Sequence, residues 1–150
     1  MDHTTFRELA DAFFNKIKDY DFINMDESLA YEIAISYISP ASVKFQNCTQ
    51  DLDDFDDELQ QFGFKFTNIN FEILVNYMVI EWLTSNYITT QTALKARMST
   101  ADFHKYDNNN LLAKAIEVRS ALKTENDQLA INKSYKTSKI FDVAINRKKV

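Results

Sequence analysis

A chain of 150 residues with a net charge of −5 and 26% charged residues fits one domain, long enough to bury roughly two-thirds of the surface its unfolded form exposes. The 45% hydrophobic content, with twelve Phe and seven Tyr, excludes an intrinsically disordered chain. A single Gly and a single Pro exclude glycine-rich phosphate loops and disfavour multi-stranded folds, whose hairpins draw on Gly, Asn or Asp at positive φ, so the expected fold is all-α: a small helical bundle with a long C-terminal helix and an extended C-terminal tail.

The first predicted element opens at TTFRE, where Thr5 caps the exposed amides and Glu8, three residues on, reaches back to the cap residue. Phe6, Leu9, Ala10, Phe13 and Ile17 then form one apolar stripe to about Lys18. Asp26 caps a second helix with a wide face of Leu29, Ala30, Ile33, Ala34, Tyr37 and Ile38, which Pro40 stops; Ser39-Pro40 is a candidate start for another short helix. In DLDDFDDELQQFG the apolar residues Leu52, Phe55, Leu59 and Phe62 fall three, four and three apart. That spacing predicts a short acidic helix ended by Gly63 in a left-handed conformation. FGFKFTNINF alternates apolar and polar residues but has no obvious partner strand, and is read as a connection.

Thr67 or Asn70 starts the helix that contains FEILVNYMVIEWL, residues 71–83. Its only charges are Glu72 and Glu81, and it is apolar nearly all round, with Ile73, Tyr77 and Ile80 on one face and Leu74, Met78 and Trp82 on another. A helix of that kind is either the centre of the core or meets another subunit. A short helix follows at residues 91–99 behind Thr89 or Thr90, and STADFHKY makes a brief turn with Ser99 and Asp102 at capping spacing. Asn108 to Asn110 precede the longest helix, whose seam of Leu111, Ala115, Val118, Leu122 and Leu129 runs to about Lys133. Its second half, KTENDQLAINKS, is polar and is expected to project from the domain. The closing YKTSKIFDVAINRKKV has no helical stripe, and its β-branched content suits an extended arm. Residues 1–133 are therefore the helical domain and residues 134–150 the basic tail.

Charge is divided along the chain. Residues 1–60 hold 14 acids and 4 bases, net −10, whereas residues 61–150 hold 8 acids and 13 bases, net +5. Identical copies pairing an acidic flank with a basic flank would make head-to-tail contacts, which close into rings when the rotation allows. Apolar burial must supply most of the affinity in such a contact.

Catalytic and metal signatures are not signalled. Were Asp51 the first residue of a calcium loop, Phe55 and Asp56 would occupy the fifth and sixth positions, where a ligand oxygen and Gly are required. His3 and His104 lack partners at metal-ligand spacing, so neither a metal nor another cofactor is expected. Cys48 is alone, which excludes an internal disulfide and suits the cytosol. MDHTTFREL does not read as a signal peptide, and residues 71–83 fall short of the roughly 20 apolar residues that span a bilayer. An isoelectric point near 5 leaves only the tail as a possible phosphate contact.

Asp51-Leu52, the acidic run to Phe62, Phe66-Thr67, Glu72-Ile73-Leu74, Met78-Val79-Ile80-Glu81-Trp82-Leu83, Leu94-Lys95, Asp102-Phe103, Leu111-Leu112 and Tyr135 occur in an order that resembles the head-to-tail connector, or adaptor, proteins of tailed bacteriophage necks. The resemblance covers about residues 30 to 136. It implies a non-enzymatic virion protein that docks below the portal and assembles, usually in twelve copies, into a ring around the channel through which DNA passes without sequence-specific binding. It implies location in the virion neck, and in the host cytoplasm during assembly. The partners would be further copies of the chain, the portal protein and tail or neck proteins, with no membrane.

The matching partner-binding arm is the tail, with Tyr135, Lys136, Lys139, Ile140, Phe141, Val143, Ile145, Arg147, Lys148 and Lys149 as candidate contacts. Asp53, Asp54, Asp56, Asp57 and Trp82 are the candidate subunit-interface residues. The alternative is a cytosolic helical adaptor or regulator that binds one protein partner and has no catalytic activity.

Overall fold

The computed structural model describes residues 2–17, 22, 24–89 and 109–137. The fold is all-α, a small bundle joined by one tiny hairpin. Helix α1 is Phe6–Ile17, α2 Glu27–Ser36, α3 Ile38–Lys44, α4 Asn68–Leu83 and α5 Asn109–Thr137, with strands β1 Phe55–Asp56 and β2 Gln61–Phe62 between α3 and α4. The predicted helix at residues 91–99 and the predicted turn at 99–106 lie outside the described residues.

Helix α1 begins as its sequence dictates. Thr5 Oγ1 accepts from the Glu8 amide at 3.2 Å, and the Thr5 amide donates back to Glu8 Oε2 at 2.9 Å. Phe6, Leu9, Ala10 and Phe13 are buried. Asp26 stands at the cap of α2, but its carboxylate accepts no amide there. The α2 helix ends at Ser36, before Pro40; after Tyr37 the chain re-enters helix at Ile38, so the proline sits in the first turn of α3. Its missing N–H belongs to a turn whose amides have no intrahelical acceptor, so no helical hydrogen bond is lost.

The expected acidic helix over residues 51–62 is instead a hairpin, with Phe55 paired to Phe62 and Asp56 to Gln61 in antiparallel register. Short acidic side chains account for the difference by offering local acceptors that compete with a helix. Asp56 Oδ1 accepts from the Glu58 and Leu59 amides at 2.9 and 3.0 Å, and Asp51 Oδ1 accepts from Asp53 at 3.1 Å. Gly63 is not a left-handed helix terminator. Among the described residues the one positive φ belongs to Gln60, and a Cβ at Gly63 would meet the Asp54 carboxylate.

The segment read as an unpaired connection has partners. Thr4 donates its amide to Phe64 O and its carbonyl accepts from Phe62 N, while Phe6 N donates to Gln60 O. Thr4 is itself buried, and its hydroxyl accepts from Phe66 N at 3.0 Å. The N-terminal residues are thus stitched to the hairpin, and Phe6, Phe62, Phe64 and Phe66 form a run of edge and tilted ring contacts beneath it.

Helix α4, capped by Thr67, is the centre of the core, with Ile73, Leu74, Val75, Tyr77, Met78, Ile80 and Trp82 buried. It packs against α1, α3 and α5 and continues into a π-helical turn at Thr84–Thr89. A helix apolar on every face is stable here because its own chain surrounds it.

The polar half of α5 does not project. Asn126, 2% exposed, donates to Ile73 O and accepts from Asn76, Tyr77 donates to Asp127, and Lys133 donates to Thr67 Oγ1. The polar residues are a hydrogen-bonded seam against α4, whereas Ile116 and Val118 in the preceding half are exposed.

Candidate interaction surface

A groove of about 330 Å³ opens between α3 and the β1–β2 hairpin, with Phe6, Ile38, Val43, Leu52, Phe55 and Phe62 in its walls and Asp53 and Asp57 at its edge. Helix α3 turns Ile38 and Ala41 into the core, which leaves Val43 outward and 70% exposed. The hairpin holds Phe55 half-open beside Phe6 and Phe62, with ring centroids 6.4 and 6.3 Å away. Leu59, on the hairpin turn, is 65% exposed.

Of the predicted interface residues, Asp53, Asp54, Asp56 and Asp57 gather on this hairpin, and all are exposed. Among the described residues no ion pair includes any of the six acids from Asp51 to Glu58. Trp82 lies elsewhere. It is 8% exposed and stands edge-on to Phe13 at 6.3 Å, so the indole is enclosed by its own chain. Tyr135 and Lys136, expected in an extended tail from residue 134, instead fall within the last turn of α5, which runs to Thr137. Lys139, Ile140, Phe141, Val143, Ile145, Arg147, Lys148 and Lys149 lie outside the described residues.

Sequence reasoning missed Val43, Phe55 and Leu59 as surface residues. Phe55 and Leu59 were assigned to the stripe of a helix, and only the density of Asp around them signalled a turn. Val43 carried a weaker signal, because it falls outside the Ile38/Ala41 spacing.

The ionisable groups with shifted behaviour are structural. Burial, reinforced by the bond to Asp127, pushes Tyr77 above the ordinary tyrosine range. Burial also raises the Cys48 thiol, against a smaller lowering by a backbone hydrogen bond at Gln50 and by Lys133. On the far side of α1, Arg7 lies 4.4 Å from the Tyr31 ring centre and pairs with Glu27 at 3.0 Å, while the Tyr31 hydroxyl donates to Asp11. That cluster is solvated and ties α1 to α2.

Among the described residues no group of three or more His, Cys, Asp or Glu side chains is arranged to hold a metal ion, and no helix is long and apolar enough to cross a membrane. No protein family, curated protein or solved structure matches the chain.

Proposed function

We propose that this chain is a structural subunit of a bacteriophage neck, which assembles with further copies into a ring of about twelve that joins the portal to the tail around the DNA channel. The observation that carries the reading is the ordered set of connector-like residues across positions 30 to 136, from Asp51-Leu52 through Met78–Leu83 to Tyr135. The acidic, partly apolar groove and the basic sequence of residues 138–150 support it, because a head-to-tail ring needs two unlike surfaces on each copy. In this reading residues 134–150 are the arm that reaches a partner, and the subunit has no catalytic role. The virion neck is its final location, reached after assembly in the host cytoplasm.

The test is to mix the purified chain with portal protein and image the product by electron microscopy. A ring of density below the portal is expected; bare portals at saturating subunit concentration reject the reading.

Enclosure of α4 and Trp82 within one chain favours a second reading, a compact helical adaptor for a single protein partner. Such an adaptor would remain monomeric beside portal protein and form a one-to-one complex elsewhere.

A further inference from the structure

An apolar groove open to solvent lies between α3 and the hairpin. It combines half-open apolar walls, Val43 and Phe55 among them, with a rim of carboxylates that make no ion pair among the described residues. Its volume of about 330 Å³ suits a few side chains of an extended segment better than a broad protein face. A ligand for it needs an apolar edge followed by positive charge.

Residues 138–150, SKIFDVAINRKKV, have that chemistry. Phe141, Val143 and Ile145 alternate, so an extended backbone would present them on one face, and Arg147, Lys148 and Lys149 follow directly. Four bases against Asp142 give this segment a net charge of +3, opposite in sign to the hairpin. From Phe141 to Ile145 an extended chain covers about 13 Å, a span that leaves the basic run beyond the apolar contacts and beside Asp53 and Asp57.

We propose that the groove receives residues 138–150 of a neighbouring copy, with Phe141, Val143 and Ile145 against Val43 and Phe55 and the basic run on the acidic rim. The assignment to a second copy rests on the ring reading above, since groove and tail are the two unlike surfaces that a heterologous contact joins. Apolar burial supplies the affinity, and the charges set register and encounter. Each copy then accepts one tail and donates one.

The full-length chain tests this in a Cys48→Ser background that removes the native thiol. One copy carries Val43→Cys and a second, mass-labelled copy carries Phe141→Cys; they are mixed under mild oxidation and the disulfide products mapped by mass spectrometry. An intermolecular link between positions 43 and 141 is expected, and Val43 is exposed enough for the variant to keep its fold. Asp53→Lys with Asp57→Lys should lower its yield about tenfold, and Lys148→Glu with Lys149→Glu on the donor should restore it. Three results overturn the proposal: no 43–141 link, a yield indifferent to the charge changes, or a preferred intramolecular link when one chain carries both cysteines. Electron microscopy of the same proteins on portal separates the two ideas. Rings without the link reject the groove and leave the ring, whereas the link without rings rejects the ring and leaves the groove.

Discussion

Tyr77 on α4 donates its hydroxyl hydrogen to Asp127 Oδ1 on α5 at 2.7 Å, and the two helices are held in one register by this bond together with the Asn76–Asn126 and Asn126–Ile73 bonds beside it. Tyr77→Phe keeps the ring and deletes the bond. A loss of about 1 kcal/mol in unfolding free energy is expected at neutral pH, measured by urea titration.

The same pair gives a pH dependence. Burial first, and Asp127 second, hold the Tyr77 proton above its value in the unfolded chain, about 10. Above that pH the folded form retains a proton that the unfolded form releases, so stability is complete below about pH 10 and falls as pH rises further. Tyr77→Phe should flatten this alkaline decline; Tyr31, raised chiefly by its bond to Asp11, and the Cys48 thiol, raised by burial, contribute to what remains. An unchanged alkaline slope in the variant would contradict the assignment.

Trp82 is predicted to act on stability within one chain. Its removal opens a cavity against Phe13, and Trp82→Ala should cost about 3–5 kcal/mol, with Trp82→Phe much milder. Thermal melting of the dilute protein checks it. A Trp82→Ala protein that melts like the parent would mean that the indole is not part of this core.

Thr4 offers a sharper contrast. Thr4→Val preserves shape but strands the buried Phe66 amide, a loss of about 1–3 kcal/mol, whereas Thr4→Ser retains the acceptor and loses only a methyl group. Stability in the order Thr, Ser, Val is expected from chemical denaturation.

Surface substitutions on the groove wall and the neighbouring hairpin turn separate assembly from folding. Val43→Ser and Leu59→Ser together should shift stability by no more than about 0.5 kcal/mol each, because both side chains are largely exposed. Their expected effect is a reduced yield of subunits bound to portal, measured by sedimentation. Undiminished binding would remove this face from the interface.

How much of this was legible depended on whether local and distant forces agreed. The Thr5/Glu8 box is a local device and could be read directly, whereas the start of α4 was narrowed to Thr67 or Asn70, of which Thr67 is the cap. The run from Ile73 to Trp82 is apolar on all sides, so burial followed without knowing the partners. The hairpin was illegible by periodicity because Leu52, Phe55, Leu59 and Phe62 keep helical spacing; the acids between them, which favour turns and repel one another along a helix, decided the outcome. Asn126 was misread for the opposite reason. A buried amide satisfied by Ile73 O and Asn76 looks the same in sequence as a solvated one. The groove arises from Val43 and Phe55, which no local pattern brings together.

Stitching Thr4 to Phe62, Phe64 and Phe66 has a kinetic consequence. The Thr4–Phe66 bond joins residues 62 positions apart, so all of α1 to α3 lies inside a loop that must close before the hairpin is anchored. Closing so long a loop costs more entropy than forming local helix contacts, so slower refolding than in a bundle without this tie is expected. On the ribosome, Thr4 would wait for residue 66 to emerge before its hydroxyl meets its donor. An N-terminal fusion that displaces Thr4 would then slow refolding more than it disturbs helix content.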